Sequence, residues 1–408
     1  MARHVLLTLV VGALALHVGL THASDHIESA TKLTFGSPST LFVGDWKGAH
    51  IYALTVPVAK SAATLPFNVK DVQGPIANAL HVQTTALRFE DLAVQPGTGL
   101  AFVALTVKEG ASASRPALVT INADGKVMVE DLQKIPHSSV AITDEPAADE
   151  KFWRNLPAQS LTVTDMRFYN NKLYVAGLSN RSFASTLRIY DYPFNGKSTA
   201  STIEMYHPVH NEIETRAPIR EMSIMSVGGQ PTLIAAYTCT PLVAIPLSDL
   251  KDGAHITAKT IGELGWGSAP RGMVTFKFHD VDYALLVNSS RAADLLSLPA
   301  ISDAAAQPGI KTPINWPADP YKGVKAIMTP MSAAMRIDNF NDDLLLALRR
   351  DDATGDMQLV TIPKGVYLRL SDFVNEYDFT DYVYPPDDPF HAFHKVARKL
   401  EGYPELVR

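Results

Sequence analysis

The sequence predicts an all-β protein: a single β-propeller of about six four-stranded blades, followed by a short C-terminal helical tail. Two observations carry this prediction. Short apolar and β-branched runs, bounded by Gly, Asn, Asp, Ser or Pro, recur along most of the 408 residues and are typical of strands. Segments with helical periodicity are scarce, and the clearest of them lies at 389–400.

The strands recur in sets, each with a strand that begins with polar residues, a tight polar turn and then an apolar strand. Copies of this set start roughly 50 to 75 residues apart, a spacing compatible with propeller repeats that carry insertions. One four-stranded sheet cannot bury both of its faces alone, and stacking several around an axis covers them. Seven blades are the alternative count, with the extra blade at 133–157 or where the termini meet. The alternative fold is a pair of β-sandwich domains, which would not repeat one strand pattern along the whole chain.

The two ends of the chain differ from the repeats. Arg3 precedes the apolar run Val5–Leu20, and Thr21–Ala23 offers a small-residue cleavage site, so residues 1–23 are predicted to be a signal peptide. The alternative is an uncleaved N-terminal anchor. We expect a propeller at 24–371, then an acidic, aromatic tail at 372–408 that closes the ring, crosses one face or binds a partner. The expected location is the periplasm or the secreted space, with no membrane insertion after cleavage.

Composition narrows the classes of function. The formal net charge of −6 argues against non-specific nucleic-acid binding, which needs a surplus of Lys and Arg. Cys239 is the one cysteine of the sequence, so no internal disulfide is expected. It lies in a strand-like run, and we predict a buried strand thiol.

The repeats predict which side chains meet at the propeller axis, because the first strand of each blade lines the central channel. The residues that enter these strands are charged, and amides stand at other strand ends. The candidates for the channel mouth are Glu90, Asp91, Asp165, Arg220, Glu221, Arg271, Arg336, Asn180 and Asn288. Two interpretations stay open: a functional mouth, or a structural ring of ion pairs that keeps a wet channel soluble.

Two stretches resemble the paraoxonase and arylesterase family. They are Glu90–Pro96 with Gly99–Val103, and Pro270–Phe276 with Leu285–Asn288. The resemblance implies a six-bladed propeller with calcium in its channel, where acids of the first stretch supply metal oxygens and the site hydrolyses lactones or esters. The sequence departs from the family pattern where Arg271 replaces a histidine, and again where Ser289 follows the Val-Asn step in place of a histidine.

Calcium binds oxygen ligands from carboxylates, amides and carbonyls. The candidate calcium ligands are Glu90, Asp91, Asp165, Glu221 and Asn288. Arginines at the same depth would oppose a cation. His207 with His210, and His391 with His394, are pairs that could take zinc or copper, although such pairs are usually surface or core residues.

These observations predict an exported, non-catalytic propeller that binds a partner protein or a small ligand at its channel mouth or on one face. The alternative is a calcium-dependent lactonase or esterase that acts in the central channel. The binding function is preferred because the histidines that the resemblance would require are absent from the matching positions. No cofactor is certain from the sequence, and calcium is the candidate.

Overall fold

The computed structural model describes residues 26–58, 65–239, 241–265, 268–314, 321–329, 331, 333–351 and 353–364. The predicted signal peptide at 1–23 lies outside the described residues, as do the predicted tail at 372–408 and its helix. Within the described ranges, no helix is both long enough and apolar enough to cross a bilayer.

Strands make up most of the regular structure. The first half contains β1 (Lys32–Ser37), β2 (Thr40–Asp45), β3 (His50–Thr55), β4 (Asn68–Val69), β5 (Leu87–Val94), β6 (Ala101–Lys108), β7 (Ser114–Ile121), β8 (Val127–Glu130), β9 (His137–Ala141), β10 (Lys151–Phe152), β11 (Leu156–Pro157), β12 (Asp165–Tyr169), β13 (Lys172–Leu178) and β14 (Ser185–Asp191). The second half contains β15 (Ser198–His207), β16 (Glu212–Glu214), β17 (Glu221–Val227), β18 (Gln230–Ala236), β19 (Pro241–Pro246), β20 (His255–Glu263), β21 (Pro270–Phe278), β22 (Val281–Asn288), β23 (Ala293–Ser297), β24 (Lys322–Gly323), β25 (Ile327–Thr329), β26 (Ala334–Asn339), β27 (Leu344–Arg350) and β28 (Met357–Pro363). The helices are α1 (Gln73–Leu80) and α2 (Leu298–Ala306), with short 3-10 turns at Thr84–Ala86, Ala158–Leu161 and Leu247–Asp249.

The strands form sheets in a propeller-like arrangement, with antiparallel pairing among the described residues everywhere except between β15 and β20, which confirms the predicted all-β class. Four sheets have four strands each, in the orders β1-β2-β3-β9, β5-β6-β7-β8, β21-β22-β23-β25 and β26-β27-β28-β4. The meanders β12–β15 and β17–β20 belong to one ten-stranded sheet, because β15 and β20 pair in parallel at Thr202–Met205 and His255–Ala258. Residues 133–157, a predicted position for an extra blade, instead supply β9 and the two-stranded sheet β10-β11.

The first strands of the meanders contact one another in a closed cycle. The order is β1, β12, β17, β21, β26, β5 and back to β1. This order departs from the chain order, because the sheet that begins with β5 lies between those that begin with β1 and β26. The two sheets on either side of the β5 sheet each take their fourth strand from a segment next to β5–β8 in the sequence. β4, which precedes β5, pairs with β28, and β9, which follows β8, pairs with β3. Pairing over long sequence separations therefore closes the ring.

The hydrophobic core lies between neighbouring sheets. The second strand of each meander is buried on both faces, as in β6, β18 and β27, since a neighbouring sheet covers each side. Strands in such a position read as continuous apolar runs rather than as alternating patterns. These runs are the ones that identify the repeats in the sequence.

A buried arginine and a glycine fix the backbone that leads into β12. Arg188 is 1% exposed and donates to Asp144 Oδ1 at 2.6 Å and to the carbonyl oxygens of Leu178 at 2.8 Å and Thr162 at 3.2 Å. The Thr162 carbonyl also lies so close to Gly177 that a Cβ on that glycine would be 1.9 Å from its oxygen. The close approach of the segment before β12 therefore requires glycine at position 177.

We expect Gly177→Ala to lower the free energy of unfolding by about 3 kcal/mol, since the methyl group would meet backbone atoms that cannot move aside cheaply. Gly196→Ala is the control: an added Cβ there has nothing within 4 Å, and its φ of +75° costs only about 1 kcal/mol. Urea denaturation of both variants measures the difference. Equal losses in the two variants would contradict the close approach.

Candidate functional site

The first strands bring four of the predicted residues together in the channel. Arg336 Nε lies 3.1 Å from Asp91 Oδ1. Asp165 and Glu221 lie on the neighbouring strands β12 and β17, and Arg167 bridges them, with Nη1 2.8 Å from Asp165 Oδ1 and Nη2 3.7 Å from Glu221 Oε2. Lys32 Nζ approaches Glu221 Oε1 at 3.2 Å. Acids and bases from five different strands therefore form one network of charges, in which the acids and Lys32 are buried while Arg167 and Arg336 are partly exposed.

The acids of this network also bind the backbone of neighbouring strands. Asp91 Oδ2 accepts the N–H of Leu33 at 2.8 Å, from β5 to β1. Asp165 Oδ2 accepts the N–H of Met222 at 2.7 Å, from β12 to β17. On β26, Asp338 Oδ2 accepts the N–H of Val94 on β5 at 2.8 Å. Each carboxylate thus joins the first strands of two neighbouring meanders at the axis, where no ladder hydrogen bonds connect these strands among the described residues.

The arginines make a second set of ties through carbonyl oxygens. Arg336 donates to the carbonyls of Glu90 at 2.7 Å, Arg271 at 3.0 Å and Met335 at 2.7 Å. Arg167 Nη2 donates to the carbonyl of Met273 at 3.0 Å, which reaches from β12 to β21 across the channel. Hydrogen bonds with a charged donor stabilise more than neutral ones, so these side chains help to hold the strands around the axis.

Burial and neighbouring charges shift the pKa values of the channel acids in different directions. Burial raises the pKa of Asp165 to about 7, against the lowering effect of Arg167. Burial raises the pKa of Asp338 to about 6, although the N–H groups of Val94 and Asn339 lower it. For Glu221, burial acts to raise the pKa, but Lys32, Arg336 and Arg167 together hold it below the usual value.

Arg220 and Arg271 lie where β17 and β21 begin, beyond the paired charges. The Nε atoms of both are buried and have no hydrogen-bond partner among the described residues. Burial lowers the pKa of Arg220 and of Arg271, and the nearby Arg336 lowers both further. This end of the channel therefore carries positive charge that the network does not neutralise.

A cavity of about 950 Å³ occupies the opposite end of the channel, near the carboxyl ends of the first strands. The paired charges form its floor. Apolar side chains such as Phe35 and Phe276 line its wall, together with polar groups such as Thr34 and Asn339. Lys364 at its rim donates to the carbonyl of Asn341 at 2.7 Å and lies 5.4 Å from the centre of the Phe276 ring.

Three predicted residues lie away from the network. The Glu90 carboxylate turns to Thr106 Oγ1 and Arg88 Nε, each at 2.5 Å, because β5 has a register shift between Phe89 and Asp91. Asn180 is exposed in the connection between β13 and β14. Asn288 is buried within its own sheet, where Nδ2 donates to Asp294 Oδ2 at 3.0 Å.

Three residues of the network were missed in the sequence reading. Arg167 and Asp338 follow Asp165 and Arg336 by two positions, and in a strand that spacing returns a side chain to the same face. This two-residue spacing was the available signal. Lys32 opens β1, whose copy of the repeat is the shortest in the sequence, and no local pattern marks it.

The predicted calcium ligands do not form one oxygen shell. The Glu90 carboxylate and the Asn288 amide are engaged elsewhere, as described above. Asp91 and Asp165 have both oxygens bound by N–H donors or an arginine, and Glu221 faces Lys32 and Arg167. A calcium ion would have to displace these cations, so the geometry does not fit the predicted calcium set.

No protein-family profile matches the chain, and no curated protein matches it. The solved structures that are similar to it at a low level include the following two. Raptor from Chaetomium thermophilum is 8% identical with a TM-score of 0.33, and the match covers 83% of this chain but only 28% of Raptor. A glucose dehydrogenase is 8% identical with a TM-score of 0.34, over 83% of this chain and 97% of the enzyme. Similarity at this level identifies neither a family nor an activity.

We expect Arg336→Met to lower the free energy of unfolding by about 3 kcal/mol, because it leaves Asp91 and three carbonyl oxygens without their cation. Arg115→Met is the control, since the Arg115–Glu109 pair is 39% and 49% exposed and should contribute less than about 1 kcal/mol. Chemical denaturation of both variants measures the two losses. A loss at position 336 no larger than the loss at position 115 would show that the network adds little.

The raised pKa of Asp338 gives a pH dependence with a defined sign. The native state holds the proton more tightly than the unfolded chain, whose carboxyl titrates near 3.8, so this group's contribution to stability is complete below about pH 4 and lost as the pH rises through about 6. The amide that Asp338→Asn introduces cannot accept both N–H groups, so this variant should be less stable than the wild type. We expect that penalty to be smaller at about pH 7.5 than at about pH 4.5, by roughly 2 kcal/mol.

Denaturation of the wild type and of Asp338→Asn at both pH values measures this change. Asp131→Asn is the control, because the hydrogen bond from Lys134 lowers the pKa of Asp131 and reverses the sign. A penalty at position 338 that stays constant or grows with pH would show that Asp338 is ionised throughout.

Proposed function

We propose that this protein is an exported, non-catalytic β-propeller of six blades that binds a small polar ligand at the cavity end of its channel. The count of six treats the ten-stranded sheet as two blades, β12–β15 and β17–β20. The closed cycle of contacts between first strands supports that count. The signal peptide predicted at 1–23 supports export to the periplasm or the secreted space.

The cavity at the channel end is the observation that carries the binding proposal. Its volume of about 950 Å³ is in the range of ligand sites in proteins, which typically have about 300 to 1,000 Å³. Its floor consists of charges that already have partners, so a ligand would not have to neutralise them. Side chains that are already held by these partners lose little conformational entropy when a ligand binds.

The lining indicates the class of ligand. Phe35, Phe276 and Phe340 offer apolar surface, while Lys277, Asp280 and other rim residues offer both signs of charge. A neutral or zwitterionic molecule with many polar groups and one apolar face matches this lining, and a carbohydrate has that chemistry. The binding of a partner protein on one face is the other form of the same proposal.

The channel gives less support to a calcium-dependent hydrolase. Its acids are held by N–H donors and by cations, so a carboxylate would have to leave these partners before it could bind a metal or activate water. The sequence departures at Arg271 and Ser289 from the resembling family agree with this interpretation. We therefore propose binding without turnover.

A thermal-shift screen of mono- and disaccharides tests the proposal. We expect at least one sugar to raise the melting temperature of the wild type, because binding to the native state stabilises it. In Thr34→Trp, the larger indole side chain would occupy part of the cavity. We therefore expect this variant to lose the sugar-induced rise in melting temperature. Ser248→Trp is the control, since Ser248 is exposed and outside the cavity, and it should keep the shift.

Two results would contradict the proposed function. One is a sugar-induced shift that persists unchanged in Thr34→Trp, which would place binding outside the cavity. The other is turnover of a lactone or an aryl ester that depends on added calcium and disappears in Asp91→Ala. That result would make the protein a hydrolase.

A further inference from the structure

A cluster of possible metal ligands lies outside the lining of the cavity, where β15 ends. His207 is the last residue of β15, His210 follows in the turn to β16, and Cys239 lies in the turn between β18 and β19. One ring nitrogen of each histidine and the Cys239 Sγ all lie within 4.8 Å of one another. The predicted buried strand thiol is thus wrong: Cys239 is partly exposed in a turn, at a φ of +65°.

A single carboxylate orients both imidazole rings. Glu214 Oε1 accepts from Nδ1 of His207 at 2.7 Å and from Nδ1 of His210 at 2.5 Å. When Nδ1 carries the proton, Nε2 presents a lone pair. Metal-binding histidines in proteins usually show this arrangement, in which a carboxylate holds the far nitrogen and fixes the tautomer.

The lone pair of His207 faces another acceptor. His207 is 1% exposed, and its Nε2 lies 3.8 Å from Oε2 of Glu263, a residue with no exposed surface. Neither of these two atoms has a hydrogen-bond partner within the described part of the chain. Burial raises the pKa of Glu263 to about 8, against the lowering effect of the Gly265 N–H, so a proton or a metal cation between the two side chains would offset the cost of burying these atoms without a hydrogen bond.

We propose that His207, His210 and Cys239 bind a zinc ion, with Glu263 as the fourth ligand and Glu214 as the residue that positions both rings. Two histidines, a thiolate and a carboxylate are a typical ligand set for tetrahedral zinc. Zinc bonds of about 2.0 to 2.1 Å to nitrogen and oxygen place such ligand atoms roughly 3.3 Å apart in a tetrahedron. The 3.8 Å between His207 Nε2 and Glu263 Oε2, and the separations of up to 4.8 Å among the ligand atoms of His207, His210 and Cys239, must therefore shorten when the metal binds. Binding releases the thiol proton of Cys239 to solvent.

The site would connect two parts of the ten-stranded sheet. His207 and His210 belong to the meander β12–β15 and its extension, whereas Cys239 and Glu263 belong to the meander β17–β20. A metal there would cross-link these meanders at the end where their fourth strands finish. It would therefore stabilise the sheet independently of whether the cavity binds a ligand.

Titration of the full, chelator-treated protein with Zn²⁺ and with Co²⁺ tests the proposal. We expect one ion per chain, a rise in melting temperature with Zn²⁺, and a cobalt spectrum with tetrahedral d–d bands and a thiolate charge-transfer band. Cys239→Ser should remove the charge-transfer band. Glu214→Gln should weaken the affinity roughly 10- to 100-fold, as expected for a residue that orients ligands.

His210→Gln is a second ligand variant that should still fold, because the His210 side chain is 46% exposed. We expect this variant to bind zinc more weakly than the wild type. His255→Gln is the matched control: His255 pairs with Glu204 at 3.2 Å elsewhere on the same sheet, and its replacement should leave zinc binding unchanged. Failure to bind one zinc ion per chain would overturn the proposal. So would affinity and cobalt spectra that are identical in the wild type, Cys239→Ser and His210→Gln.

Discussion

Hydrogen bonds from channel carboxylates to the backbone of neighbouring first strands link the meanders of this protein around its axis. Meanders in a propeller-like arrangement pack through side chains, and within the described part of the chain no ladder of hydrogen bonds joins their first strands at the axis. Asp91, Asp165 and Asp338 supply direct links there, each to an N–H on the next strand. Arg336 pairs with Asp91 and Arg167 pairs with Asp165, and both arginines add links to carbonyl oxygens.

This constraint separates the two interpretations of the polar channel. Acids around a propeller axis could form a metal centre. In this protein, however, their oxygens already accept hydrogen bonds from N–H donors or pair with cations. Their part in the molecule is to join the sheets and to form the floor of the cavity. The unpaired Nε atoms of Arg220 and Arg271 lie at the other end, so the channel is electrostatically asymmetric among the described residues.

Much of the fold could be predicted from the sequence, because the second strand of each meander is buried on both faces and appears as an unbroken apolar run. The ring order could not, since β4 has only two residues and pairs with β28, which lies near the other end of the described chain. Asp91, Asp165, Glu221 and Arg336 were predicted to converge and do so. Glu90 was placed with them because a register shift within a strand leaves no mark in the sequence.

Cys239 shows the same limit at the scale of one residue. The run around it is β-branched and apolar, so it reads as strand, yet the backbone turns there at a left-handed φ without a glycine to signal it. The two histidines close to Cys239 come from a segment about 30 positions earlier in the sequence. Only the folded chain brings them together.

The backbone amides of Leu33, Met222 and Val94 report directly on the hydrogen bonds that join the first strands. Each donates to a channel carboxylate, so hydrogen exchange at these sites reports the links between sheets. We expect all three to exchange as slowly as the amides of the buried second strands, and Asp165→Ala to speed exchange at Met222 far more than at Leu33. Fast exchange of all three amides in the intact wild type would contradict the proposed role of the carboxylates.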